Sequence, residues 1–170
     1  MDYFAIIHQF ARTLKNLDVI LDKAAKSAEG RKFDVNNFFA HRLYPDMLPF
    51  SAQVRIACDS AKSAAAFLSG KEPPPHEDNE TTVAELRGRI AKCVAYLEAF
   101  TAADFARTTN QTRIVLPNRP GKHLLADEYL VARQIPNFYF HVTTAYALLR
   151  QGGVEIGKTD FLGPLNFIQP

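Results

Sequence analysis

Apolar side chains recur every three or four positions in three stretches of the chain. The first stretch is Tyr3, Ile7, Phe10, Leu14, Leu17, Leu21 and Ala24. The second is Met47, Phe50, Val54, Ala57, Ala61, Ala64 and Leu68, and the third is Val83, Leu86, Ile90, Cys93, Leu97 and Phe100. This spacing gathers apolar residues on one face of an α-helix. It predicts three amphipathic helices that pack against one another as in a bundle.

Residues with capping preferences mark the ends of these helices. Asp46 follows Pro45, and we expect it to accept the first free backbone amides of the second helix as its N-cap. Thr82 and Glu85 have the spacing of a capping box at the start of the third helix. A proline run at 73–75 predicts an extended linker between the second and third helices.

The helical pattern stops between residues 101 and 127. Residues 112–116 are β-prone, 117–121 are turn-rich and 123–125 are again apolar, which predicts a small hairpin or ordered crossover. Helical spacing returns at 127–134, and Pro136 is expected to break or kink this last helix.

The predicted fold is therefore all-α. We expect a four-helix bundle with a long crossover and a small irregular or β-hairpin insertion between helices 3 and 4, in a single domain spanning residues 1–170. The tail at 154–167 is rich in apolar residues, so we expect it to pack on the bundle or on a second subunit.

Composition narrows the function classes. The net charge is +2 and no basic stripe is present, which argues against nucleic-acid binding. No apolar run is long enough to span a membrane and the first residues are not those of a signal peptide, so we expect a soluble, cytoplasmic protein. Cys58 and Cys93 lie in helical apolar patterns and are expected to be core residues in a reducing compartment.

Among the five histidines, His141 is the main candidate for chemistry. It lies beside the apolar positions Phe138 and Val142, so it faces the bundle interior or its rim. A histidine there can act as a base, as a metal ligand or as a satisfied core residue. His8, His41 and His123 are expected to be structural, and His76 to lie on the solvated surface of the linker.

Polar residues of the second helix can converge on His141. Asp46, Gln53 and Ser60 are seven apart and share a face, with Asp59 nearby. With an imidazole they make either a small-ligand or weak metal site, or a buried hydrogen-bond network that fixes helix register. A helix-borne histidine pair is absent, because the position four residues after His141 is Ala145.

Several segments resemble a known family. They are Arg42-Leu43-Tyr44-Pro45-Asp46-Met47-Leu48-Pro49 with Gln53 and Ala57-Cys58-Asp59, Pro136-Asn137-Phe138-Tyr139-Phe140-His141, Thr144-Ala145-Tyr146-Ala147-Leu148-Leu149-Arg150, and residues 153–163. Together they resemble the DinB-like superfamily of bacterial four-helix bundles, and within it a branch classed as a domain of unknown function.

The resemblance implies a bundle with a long crossover that is commonly a homodimer. Better-known superfamily members hold a divalent metal with one histidine on the second helix and a His-x-x-x-His pair on the last, and some catalyse hydrolysis or the transfer of low-molecular-weight thiols. Only His141 matches this set, because Ala145 and Gln53 occupy the other two positions. The resemblance thus implies a degenerate metal site.

These observations leave three functional hypotheses open. The first is a metal-free dimeric protein without cofactor that binds a small ligand or a partner, with His141, Asp46, Gln53 and Tyr146 near the pocket. The second is a metal-dependent hydrolase or thiol transferase that recruits a replacement ligand such as Asp46 or His41. The third is a purely structural polar network in which dimerisation is the only interaction.

Overall fold

The structure, a computed structural model, describes residues 1–117 and 119–168. Within these residues four long helices form the bundle: α1 (Tyr3–Gly30), α2 (Phe50–Leu68), α3 (Val83–Glu98) and α4 (Ile135–Gln151). A short helix, α5 (Lys158–Leu162), follows, and the turns Val35–Phe38 and Ala102–Phe105 are 3-10 helical.

The predicted apolar faces of the helices form the core. Fully buried members include Ile7, Phe10, Leu14, Leu17, Leu21, Val54, Leu68, Leu86 and Leu97. Ala57, Ala61 and Ala64 are also fully buried, and their small size lets neighbouring helices approach α2 closely. Cys58 and Cys93 are buried free thiols, as predicted. The removal of this apolar surface from water is the main force that holds the helices together.

The start of α3 was predicted correctly and the start of α2 was not. Thr82 and Glu85 form the expected capping box. Helix α2 begins at Phe50 with Pro49 at the N-cap position, and Asp46 lies exposed in the preceding turn. The first amides of α2 donate to backbone carbonyls of the preceding loop, such as that of His41 at 2.8 Å from the Phe50 nitrogen. The loop backbone therefore does what was expected of the Asp46 side chain.

Residues 69–82, called the strap below, make α2 and α3 parallel. Arg55 near the start of α2 binds Glu80, which comes just before α3, at 2.9 Å. Lys71, just after α2, binds Asp104, which comes just after α3, at 2.7 Å. The strap thus returns along the whole of α2, which is about 28 Å long at 1.5 Å per residue. The linker predicted from the proline run is therefore itself a long crossover, whereas the sequence had suggested the crossover at 101–127.

A two-stranded hairpin lies between α3 and α4. Strands β1 (Arg113–Val115) and β2 (His123–Leu125) pair antiparallel, with Ile114 opposite Leu124. The hairpin prediction is confirmed, although residue 118 of the predicted turn lies outside the described residues.

The last long helix changes type before Pro136. It begins with one α-helical turn, Ala126–Glu128, continues as a π-helix over Tyr129–Gln134 and becomes α4 at Ile135. Pro136 falls in the first turn of α4, where its missing N–H has little effect. The predicted break is therefore a widening of the helix and not an end to it.

The tail packs on the bundle over part of its length. Val154 and Ile156 are buried, and Lys23 of α1 holds Asp160 of α5 at 2.6 Å. Phe167 and Ile168 are 85% and 96% exposed. In the part of the chain that the structure describes, no helix combines the length and the apolar character that crossing a membrane requires.

Candidate functional site

His141 and Gln53 meet across the interface between α4 and α2. Nδ1 of His141 lies 2.7 Å from Oε1 of Gln53, and Nε2 of Gln53 donates to the backbone carbonyl of Leu48 at 2.9 Å. Because a carbonyl oxygen only accepts, it fixes the amino group of Gln53 on its own side and turns Oε1 toward the imidazole. His141 is therefore the donor, through Nδ1–H, and the lone pair of the neutral ring lies on Nε2.

Burial keeps this imidazole neutral. His141 is 8% exposed and Gln53 is 1% exposed. Loss of hydration disfavours the imidazolium and lowers the pKa of His141 below its usual value. The exposed ring of Phe140 stands edge-on to the imidazole, with 5.2 Å between ring centroids. The pair is thus a neutral hydrogen bond at the rim of the core.

A second hydrogen bond continues along the same interface. Nδ2 of Asn137 donates to Oγ of Ser60 at 2.5 Å. Asn137 lies one turn before His141, and Ser60 lies two turns after Gln53, so antiparallel packing of α2 and α4 brings both pairs into one row. These four residues are called the polar seam below. Asn137 was not singled out in the sequence, where it is only a polar residue after a proline.

The polar seam opens into a cavity of about 340 Å³, called the seam cavity. Ser60, Ser63, Asn137 and Gln134 contribute polar groups to its wall. Asp59 and Arg133 contribute charged groups, and residues such as Phe67 and Leu116 are apolar. Gln134 is fully buried, and its Oε1 has no hydrogen-bond partner among the described residues. Its Nε2 contacts the hydroxyl of Tyr129 within the π-helical segment. Such segments occur frequently at functional sites.

Two of the four predicted site residues take no part in the seam. Asp46 lies exposed in the turn before α2, because α2 starts later than its spacing implied. Tyr146 is five positions beyond His141, about 140° around the helix. Its hydroxyl lies 3.5 Å from the carbonyl of Ile156 and its ring packs edge-on to Phe161. The structure thus joins His141 with Gln53, and places Tyr146 against the tail.

A charge cluster centred on the buried Arg89 fastens the strap to the bundle. The guanidinium of Arg89, only 2% exposed as a side chain, contacts Asp59 at 2.8 Å, Asp78 at 2.6 Å and Glu80 at 3.0 Å. Lys62 also contacts Asp59, at 2.9 Å. Burial alone would raise the pKa of Glu80, but its hydrogen bonds to Arg89 and Arg55 outweigh burial and lower it. Asp78 and Glu80 of the strap are thereby held against Arg89 of α3.

The predicted position of His76 was wrong. It was expected on the solvated surface, but its side chain is 17% exposed and Nδ1 lies 3.2 Å from Oδ1 of Asp59. Burial and the nearby charges of Lys62 and Arg89 lower the pKa of His76. The strap encloses this residue because its acidic neighbours bind Arg89. His41 was suggested as a replacement metal ligand. Its Nε2 lies 2.5 Å from Oε1 of Gln151.

The seam does not match a three-ligand metal centre. Its donors around His141 are one imidazole and one amide, and Ala145 offers none. A protein-bound catalytic metal ordinarily takes three protein ligands. Across residues 1–117 and 119–168, no group of three or more His, Cys, Asp or Glu side chains is arranged to hold a metal ion.

Comparison with known structures defines the class of this bundle. The crystal structure of a DinB family member protein from Shewanella denitrificans is similar to this chain, with a TM-score of 0.91 and 46% sequence identity. The similarity covers 96% of this chain and 93% of that one. The fold is thus a DinB-like helical bundle with a small hairpin.

The family follows from a match over nearly the whole chain. The model described as "Domain of unknown function (DUF1993)" matches residues 3–162, and the chain belongs to this family. The resemblance stated from the sequence motifs is confirmed. None of the curated proteins compared with the chain matches it.

Proposed function

We propose that this chain is a metal-free, cytoplasmic DinB-like protein, one domain over residues 1–170, that binds a small polar molecule in the seam cavity and acts as a homodimer. The observation that carries the proposal is the polar seam itself. Its Asn137–Ser60 hydrogen bond lies in the wall of a cavity that also holds a buried amide with an unpartnered atom. A primary amide is the ligand class that suits this wall, because it both donates and accepts.

The partners of His141 support the metal-free part of the proposal. Its Nδ1–H donates to Gln53, which replaces a metal-binding imidazole by an amide. One neutral imidazole with an amide neighbour is a weak donor set for zinc or a similar ion. The hydrogen bond instead orients the imidazole and fixes α2 against α4, one helical turn from Asn137 in the wall of the seam cavity.

Gln134 supports the ligand-binding part. Buried polar atoms in folded proteins are almost always hydrogen-bonded, yet Oε1 of Gln134 lacks a partner in the described residues. A group that donates a hydrogen bond in the seam cavity would satisfy it. The hydroxyls of Ser60 and Ser63 and the amide of Asn137 surround the same space.

Exposed apolar residues support the homodimer. Leu165, Phe167 and Ile168 in the tail are largely exposed, and contiguous apolar surface on a folded chain marks interaction sites. Sedimentation equilibrium on the full chain tests this part. We expect the mass of a dimer, and a monomer at all accessible concentrations would contradict it.

Elemental analysis by mass spectrometry tests the metal-free part on protein purified without a polyhistidine tag or chelators. We expect far less than stoichiometric zinc, nickel, manganese or iron. Stoichiometric metal that is lost in His141→Ala would instead support the metal-dependent hydrolase or thiol transferase.

Binding of small amides tests the seam cavity. Nicotinamide and acetamide are titrated into the labelled chain while backbone amide shifts are recorded by NMR. We expect saturable shifts confined to residues 60–63 and 133–137, and their loss in Ser63→Phe, which fills the cavity. The matched control Ser63→Ala should keep them. Absence of shifts with both amides, or shifts mapped elsewhere, would contradict a seam-cavity site for amides.

A further inference from the structure

A larger cavity lies between the strap and α3. It measures about 760 Å³ and is called the strap cavity. Pro74 and Pro75 of the strap form one wall, and Gly88 and Tyr96 of α3 form the opposite wall. The strap thus bridges this space.

Gly88 is the first feature that points to a ligand. It lies in the middle of α3, where glycine is less favourable than alanine by about 1 kcal/mol. A Cβ at this position would meet nothing within 4 Å, so no packing constraint in the fold explains the glycine. Gly88 lies in the wall of the strap cavity. The bare backbone leaves a flat surface on which a ligand can lie close to the helix.

The charges around the strap cavity are the second feature. Lys62, Arg89 and Lys92 line it together with Glu77, Glu80 and Glu85, so the wall carries three positive and three negative side chains. The Nε–H of Arg89 is buried and has no acceptor among the described residues.

Most of these charges are already engaged. Glu80 binds Arg55 and Arg89, Glu85 accepts from the backbone amides of Thr81 and Thr82, and Lys62 binds Asp59. Lys92 and Glu77 are exposed side chains of opposite charge that line the same space, and Oε2 of Glu77 accepts a hydrogen bond from Nδ2 of Asn79 at 2.9 Å. A ligand that carries one charge of each sign matches this pair, and a ligand with a single charge matches only one of them.

We propose that the strap cavity binds a small zwitterion with an apolar side chain, such as an amino acid or a short peptide. Its carboxylate lies toward Lys92 and the Nε–H of Arg89, and its ammonium lies toward Glu77. Its apolar body rests on the bare backbone at Gly88, between the proline rings of the strap and the half-buried ring of Tyr96. This site is separate from the seam cavity and does not depend on the proposed amide binding there.

Isothermal titration of the full chain with three matched probes tests the proposal. L-Phenylalanine carries both charges, benzoate only the carboxylate and phenethylamine only the ammonium. We expect saturable binding of L-phenylalanine and at least about tenfold weaker binding of the other two, because each lacks one charge-assisted contact. Benzoate or phenethylamine binding as tightly as L-phenylalanine would overturn the zwitterion assignment, and no binding of L-phenylalanine would overturn the proposal as a whole.

Substitutions at two positions of α3 test whether L-phenylalanine binds in the strap cavity. Gly88→Phe fills the strap cavity and should abolish L-phenylalanine binding, and Gly88→Ala, which adds a methyl group to the surface under the ligand, should weaken it by a smaller factor. Lys92→Gln changes an exposed side chain, so it should leave the fold intact and weaken binding about tenfold. Binding that is unchanged in both Gly88→Phe and Lys92→Gln, with each variant folded by circular dichroism, would show that the site lies elsewhere and overturn the assignment to the strap cavity.

Discussion

Nδ1 of His141 donates to Oε1 of Gln53 across 2.7 Å, and the carbonyl of Leu48 holds the other end of the same amide. This chain of two hydrogen bonds fixes the direction of each donor. It also connects the loop before α2 to α4. A substitution at His141 should therefore lower the free energy of unfolding.

His141→Ala should destabilise the fold by about 1–3 kcal/mol, because it leaves the buried Oε1 of Gln53 without a donor. Urea denaturation of the wild type, His141→Ala, Gln53→Ala and the double variant measures the coupling between the two residues. We expect about 1 kcal/mol of coupling. The exposed Thr143→Ala on the same helix serves as the control and should change stability by less than about 0.5 kcal/mol. Additive losses for the two single variants would contradict a direct interaction.

Stability should fall in mildly acidic solution because of His141. Its pKa is lowered in the folded chain by burial, so the unfolded chain takes up a proton at a higher pH than the folded chain does. The stability that the neutral imidazole of His141 contributes is complete above its pKa in the unfolded chain, about 6.5. It is lost as the pH falls from there toward the lowered pKa of the folded chain. Urea midpoints across this range, compared between the wild type and His141→Gln, measure it. An equal loss in both proteins would mean that other groups cause the slope.

Alanine substitutions at Arg89 and Arg87 should lower the free energy of unfolding by different amounts, although the two residues lie only two positions apart on α3. Arg89→Ala removes a buried guanidinium from Glu80, which is 13% exposed, and from two carboxylates that are 36% and 55% exposed, and should cost about 1–3 kcal/mol. Arg87 pairs with Asp18 and Asp22 at the surface, and Arg87→Ala should cost less than about 1 kcal/mol. Chemical denaturation compares the two. Similar losses of stability in both variants would contradict a larger contribution from the buried Arg89.

Alanine substitutions at Gly152 and Gly88 should change the stability of the fold in opposite directions. A Cβ at Gly152 would lie 2.3 Å from Cε1 of Phe38, a buried ring that cannot move aside freely. Gly152→Ala should therefore destabilise by about 1–3 kcal/mol. Gly88→Ala meets open space and should stabilise α3 by up to about 1 kcal/mol. Thermal melts of both variants test the contrast, and a gain in melting temperature for Gly152→Ala would contradict the close contact with Phe38.

The helices could be predicted from sequence because burial acts locally along them. Residues such as Leu14 and Leu86 recur with the helical period, and the capping box at Thr82 depends only on a neighbour three positions away. The hairpin was predictable for the same reason, since a turn-rich segment separates two short β-prone runs. In each case the signal and the structure lie within one segment.

The site was less predictable because its contacts join distant segments. The heptad spacing that put Asp46 with Gln53 assumed a continuous helix, but the loop backbone starts α2 only at Phe50. Asn137 and Ser60 are ordinary polar residues until antiparallel packing joins them. Arg89 looks like any helical arginine, and only the strap, which returns along α2, buries it among carboxylates. The π-helix at Tyr129–Gln134 has no local signature that we recognise.

The strap has a kinetic consequence. Because it sets α2 and α3 parallel, these neighbours in sequence cannot form a local antiparallel hairpin of helices. The contacts that hold the bundle instead join residues far apart in the chain, 88 positions for Gln53 and His141 and 69 for Asp18 and Arg87. Folding rates fall as such separations grow, since large loops must close before their contacts form. The assembly of this all-α chain is therefore limited by the closure of long loops, and it should be slower than that of an up-and-down bundle of the same length.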